Sequence, residues 1–190
     1  SILVKTKEEF EEKIRKVESF TDKIHFDVAD GIFVPNTTIG LGEFEQIYTK
    51  IETEVHLMVS HPENHIASWA QTKASLFIFH IESTENPREV INKLREAEKS
   101  VGIALNPKTS TDEIVEIVDL VDIVHFMTVE PGFYGSPFEN SVLDKISDFH
   151  YFYPDKPIQA DGGVNQETSS KLVQAGASVL VSGSYIFESD

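Results

Sequence analysis

There is no cysteine in this 190-residue chain. Its absence excludes a disulfide framework and every thiolate metal site, so a bound metal would have to be held by His, Asp or Glu. Long apolar runs are missing too. None approaches the ~18 residues that a membrane span needs, and the first segment already carries Lys5, Lys7, Glu8 and Glu9, unlike a signal peptide. On these grounds the chain reads as soluble and cytoplasmic, with no membrane partner. Basic residues are scarce, 16 against 32 acidic ones, and the net charge of −16 repels phosphate at long range, which disfavours nucleic acid as a partner. A small anionic ligand must then be captured locally, by backbone N–H groups whose field acts at short range inside a pocket.

What is present is an alternation of short β-branched or aromatic runs with longer amphipathic stretches, the pattern of βα units on a parallel sheet. Eight runs recur along the chain: Ile2–Val4, Lys23–Asp27, Glu54–Val59, Leu76–His80, Val101–Leu105, Asp122–Met127, Pro157–Ala160 and Val179–Ser182. Helix-start signals lie between them, with Thr6 three residues before Glu9, Ser110 before Glu113, and Asn86 immediately before Pro87. Phe10, Ile14 and Val17 fall on one helical face, as do Ile114, Ile117 and Val118, and Gly176 stands where a helix would stop. The expectation is one α/β domain over residues 1–190, a (β/α)8 TIM barrel, with an open doubly wound sheet of fewer strands as the alternative. Because the sequence stops at Asp190, the eighth helix is expected to be missing, the chain being truncated or a partner subunit covering the last strand, as in a homo-oligomer.

In such a barrel, the C-terminal ends of the strands build the site. Alternation places His25 and Asp27 on one face of the second run and His56 and Met58 on one face of the third, while the seventh run leads into Asp161. Any one of these residues is as readily structural. Together, two imidazoles and two carboxylates on one rim form a ligand set suited to one divalent metal ion, Zn2+ first, or Fe2+, Mn2+ or Co2+. Glycine marks a second constellation: Gly132, Phe133 and Gly135 follow the sixth run, Gly162 and Gly163 the seventh, and Gly183 and Ser184 the eighth. Small residues there let backbone N–H groups close on a phosphate.

The segments His25-Phe26-Asp27-Val28-Ala29-Asp30-Gly31-Ile32-Phe33-Val34-Pro35-Asn36, Val55-His56-Leu57-Met58-Val59, Leu105-Asn106-Pro107, Met127-Thr128-Val129, Pro131-Gly132-Phe133 and Asp161-Gly162-Gly163-Val164-Asn165 resemble, in order and spacing, the signatures of the ribulose-phosphate 3-epimerase family. The resemblance runs across nearly the whole chain. It implies a metal-dependent epimerase acting on a ketose phosphate through an enediolate, with His25, Asp27, His56 and Asp161 as metal ligands and Asp27 and Asp161 as acid and base. It further implies that Ser1, His56, Met58 and Met127 lie close to the substrate. Departures fall at Ala29, where the family has methionine, at Glu130, and at Tyr134 and Ser136 in the loop after the sixth run. They leave open a different ketose phosphate, such as a six-carbon one, or a non-catalytic sugar-phosphate-binding barrel. Glu130 beside a phosphate loop would be electrostatically awkward unless it faces outward.

Overall fold

The computed structural model describes residues 1–133 and 135–188; Tyr134, one of the loop departures, lies outside them. Among the described residues, one sheet holds seven strands in sequence order: β1 (Lys23–Ala29), β2 (Glu52–Met58), β3 (Leu76–His80), β4 (Ser100–Leu105), β5 (Ile123–Met127), β6 (Ile158–Asp161) and β7 (Val179–Val181). Each pairs in parallel with the next, so the sheet curls into a nearly closed barrel.

The first apolar run forms a single bridge instead of a strand. Ile2 accepts from Asp27 N–H at 3.0 Å and donates to the His25 carbonyl at 2.7 Å, but the Val4 carbonyl is taken by Ile39 N–H from the loop after β1. Competition for Val4 thus ends the pairing after one residue. On the other side, the Ser1 amino group donates to the Ser182 carbonyl just past β7, and the segment fills the seam between β7 and β1.

Helix α1 (Lys7–Val17) begins with the expected capping box of Thr6 and Glu9 and buries Phe10, Ile14 and Val17. Two one-turn helices follow, α2 (Leu41–Phe44) and α3 (Ile66–Trp69). Asn86 caps α4 (Pro87–Glu96), accepting from Glu89 N–H, with Pro87 in the first turn, where its missing N–H costs nothing. The helix expected from Ser110 is reduced to two 3-10 turns, Thr111–Ile114 and Val118–Leu120. Ser110 Oγ accepts from Asp112 N–H, one residue short of Glu113, and Ile114, Val115, Ile117 and Val118 are β-branched, which weakens an α-helix. The apolar side survives: Ile114, Ile117 and Val118 are buried. Then come α5 (Ser141–Phe152) and α6 (Gln166–Ala175), the latter ended by Gly176 at φ +115°, where a Cβ would stand 2.5 Å from the His150 ring. The last strand is followed by α7 (Ser184–Phe187). No helix among the described residues is long and apolar enough to cross a membrane.

Alternation divides the sheet into two faces. Outward residues such as Phe26, Leu57, Phe77, Phe79, Phe126 and Ile158 join Phe10, Leu94, Ile146 and Leu172 of the helices in one apolar cluster. The inward face is different, and it carries the site.

Candidate metal centre and phosphate cleft

Five strands turn polar side chains into the barrel: His25 and Asp27 on β1, Glu54 and His56 on β2, His80 on β3, His125 on β5, and Gln159 and Asp161 on β6, all buried. The four residues expected as ligands meet. His25 Nε2 lies 3.3 Å from Asp27 Oδ1 and 3.5 Å from Asp161 Oδ2, and His56 Nδ1 lies 2.9 Å and 4.0 Å from the same two atoms. Ligands arranged tetrahedrally at about 2.1 Å from a metal stand about 3.4 Å apart, and the observed separations bracket that edge.

A fifth residue joins them that the sequence reading passed over. His125 Nε2 is 3.6 Å from Asp161 Oδ2, and donor atoms of His25, His56, His125 and Asp161 all fall within 4.8 Å of one another. The signal was available, because His125 stands two residues before Met127 on one strand and alternation puts both on the inward face. The Nε2 atoms of His25 and His125 are buried and have no hydrogen-bond partner among the described residues. Unpartnered buried nitrogen facing carboxylate oxygen is costly unless a cation lies between them. The donor set could therefore hold a divalent metal ion, and imidazole with carboxylate suits Zn2+, Fe2+, Co2+ or Mn2+.

Without metal, protons take up part of that role. Burial opposes charge on His25, but the carboxylates of Asp27 and Glu54 outweigh it and raise its pKa to about 10. Burial also pushes Asp27 upward, yet His25 and His56 prevail and hold it well below the usual carboxylate range. For Asp161 burial wins, with repulsion from Asp27 adding to it, and the pKa rises. His56 and His125 are both pushed down, chiefly by burial. The two aspartates are thus driven apart, one toward the ionised and the other toward the protonated form.

Behind these groups stands a layer of partners. Glu54 Oε1 faces His25 Nδ1 at 2.6 Å and accepts from Gln159 Nε2 at 2.6 Å; Gln159 Oε1 faces His125 Nδ1 at 2.8 Å. His56 Nε2 meets His80 Nε2 at 2.8 Å, and His80 Nδ1 lies 3.3 Å from Glu82 Oε2. Burial would raise the Glu82 pKa, but His80, Thr109 and the Asn106 N–H bring it to about 2.

Above the polar floor lies a cleft. Asp27, Asp161, Met58 and Met127 line its base, Ser1 one side, and the loops carrying Gly132, Phe133 and Gly135, Gly162 and Gly163, and Gly183 and Ser184 its rim. His56 is beneath it, fully buried, and is not part of the lining. Gly162 has φ +112°, and a Cβ there would sit 2.5 Å from Val129, so both the backbone and the space require glycine. The N–H groups of Gly163, Gly183 and Ser184 donate to nothing among the described residues, which leaves them available to an anion. Glu130 turns away from the cleft and pairs with Lys108 at 2.7 Å on the surface, which removes the electrostatic conflict.

The chain matches the ribulose-phosphate 3 epimerase family over residues 1–187. It is 41% identical over 172 residues to a ribulose-phosphate 3-epimerase of Schizosaccharomyces pombe, covering 88% of this chain and 75% of the relative. To that of Bacillus subtilis it is 38% identical over 173 residues, covering 87% and 80%. Among solved structures it resembles a mutant tryptophan synthase alpha-subunit of Pyrococcus furiosus, with a TM-score of 0.70 and 14% identity over 90% of this chain and 80% of the other, a likeness of fold alone.

Proposed function

The chain belongs to the ribulose-phosphate 3-epimerase family, and from that premise we propose that it is a metal-dependent isomerase interconverting D-ribulose 5-phosphate and D-xylulose 5-phosphate. The observation that carries this reading is the pair Asp27 and Asp161, both lining the cleft and both within 3.5 Å of His25 Nε2, with opposite protonation preferences. Inverting a carbon next to a carbonyl requires one group to remove a proton and another to return one from the opposite face. Asp27, held ionised, serves as base in one direction while Asp161 delivers the proton; the reverse direction exchanges their roles. His25, Asp27, His56 and Asp161 would hold a divalent ion, Zn2+ first among the candidates, which would act as a Lewis acid that favours the negative charge of an enediolate. Met58 and Met127 present apolar surface at the reacting carbons and keep water out, and the rim loops seat the phosphate on backbone N–H groups.

The test is proton exchange in deuterated water with metal-loaded protein. Asp161→Asn should incorporate deuterium into one epimer without inversion, Asp27→Asn into the other, and epimerisation should fall by about 10²- to 10⁴-fold in each. Epimerisation near the parent rate in either variant, with metal content verified, would sink the two-aspartate mechanism. Ligand binding without turnover in the parent would instead support a non-catalytic sugar-phosphate barrel. A panel of ketose phosphates decides the substrate, and equal turnover of phosphorylated and free ketose would remove the phosphate role from the glycine loops.

A further inference from the structure

The hydrogen bonds behind the centre fix how each imidazole is turned and, for His25 and His125, which nitrogen donates to the outer partner. Glu54, an acceptor only when ionised, takes Gln159 Nε2–H at its Oε1, so the amide of Gln159 must turn its oxygen toward His125. That oxygen only accepts. His125 Nδ1 therefore donates, and in the neutral ring Nε2 is left as a bare lone pair, fully buried, 3.6 Å from Asp161 Oδ2. The same Glu54 oxygen takes the His25 Nδ1–H at 2.6 Å, which turns the His25 Nε2 toward Asp27 and Asp161. On the other side of the centre, His80 Nδ1 lies 3.3 Å from Glu82 Oε2, His80 Nε2 lies 2.8 Å from His56 Nε2, and His56 Nδ1 lies 2.9 Å from Asp27 Oδ1, where it donates to the carboxylate and would give up that proton to a metal. Two hydrogen-bonded chains, each rooted in a glutamate, thus aim three ring nitrogens at the same two carboxylates.

We infer that Glu54 is the positioning residue of this centre, holding His25 directly and His125 through Gln159 so that His125 serves as a third imidazole donor beside His25 and His56. The inference rests on the metal centre of the proposed function and extends it by one ligand and one supporting carboxylate. A hydrogen bond from the far ring nitrogen fixes both tautomer and ring orientation, and such outer partners are worth about 10- to 100-fold in metal affinity. Three nitrogen donors also bias the centre toward Zn2+ and Co2+ over Mg2+, which prefers oxygen.

Cadmium is the probe. Protein with 15N-labelled histidine, loaded with 113Cd2+, should show three coupled imidazole nitrogens by NMR: Nε2 of His25, Nε2 of His125 and Nδ1 of His56. Glu54→Gln keeps an oxygen at the position that accepts both hydrogen bonds and should retain all three couplings. Glu54→Leu cannot accept, and should lose the His125 coupling and bind Cd2+ about 10- to 100-fold more weakly. Coupling confined to His25 and His56 in the parent overturns the proposal, as does a Glu54→Leu variant with unchanged couplings and affinity. If Glu54→Leu does not fold, judged by thermal melting, the parent spectrum decides alone. His56→Ala separates the two readings: loss of Cd2+ binding there, with no His125 coupling in the parent, leaves the metal centre standing and removes His125 from it. A parent that binds no Cd2+ overturns both.

Discussion

The two faces of this sheet are buried to a similar degree and, where β1, β2 and β6 pass the centre, are built on opposite principles. On the outer face, Phe10 and Phe26 meet edge to face at 4.9 Å, and Phe26 stacks on Phe44 at 5.0 Å, in a cluster with no charge to satisfy. On the inner face, one residue away along the same strand, His25 and Asp27 are also buried, but among other imidazoles and carboxylates. The outer face gains stability by removing apolar surface from water. The inner face spends stability to keep charge in a place where it can act on a substrate. The strands are therefore held from outside and used from inside.

That contrast is broken most severely by exchanging the principle on either face. Asp161→Asn should lower epimerisation by about 10²- to 10⁴-fold while leaving the melting temperature of the metal-free protein unchanged or higher, because it removes a carboxyl whose charged form burial disfavours. Phe26→Ala should do the reverse, costing about 3 to 5 kcal/mol in denaturant unfolding while the folded fraction keeps its metal. A large stability loss from Asp161→Asn would show that the inner face holds the barrel together after all.

Acidity sharpens the comparison at a smaller scale. Folding raises the His25 pKa from 6.5 to about 10, so in the metal-free protein this residue contributes stability that is full below pH 6.5 and lost as pH rises toward 10. His25→Gln should flatten that slope in urea titrations across the same window. Metal must displace the His25 proton, so metal affinity in the parent should rise over that range with proton release, measurable by calorimetry in two buffers. The smallest effect belongs to the surface: Lys108→Ala, which breaks the exposed pair with Glu130, should leave both the urea midpoint and turnover essentially unchanged.

Much of this was legible in the residues. Period-two alternation placed His25 with Asp27, and a capping box announced α1 before Phe10. The four expected ligands converge because alternation and the strand-end rule are local, and the barrel only brings their products together. What was missed is what depends on neighbours. His125 sits in an apolar strand that reads as core, and nothing in Ile123–Met127 reveals that Gln159 on the next strand will orient its ring. Glu54 reads as a strand-entry carboxylate beside Glu52, and its role appears only once β6 crosses the barrel interior from it. The single bridge at Ile2 was equally hidden, since Ile39, its competitor's source, lies in a loop without periodic signal.

The bond between Gln159 and Glu54 joins residues 105 positions apart, and the strands bearing them are not neighbours in the sheet. A contact that distant is the last to be rewarded as a chain orders itself, because the intervening segment must first be drawn into place. Strands that add in sequence leave the centre divided, with β1 and β2 supplying one half and β5 and β6 the other, until the ring has almost come round. Complete capture of a cation by this set of side chains would therefore mark the closing of the barrel, since His125 and Asp161 join the donors of β1 and β2 only then.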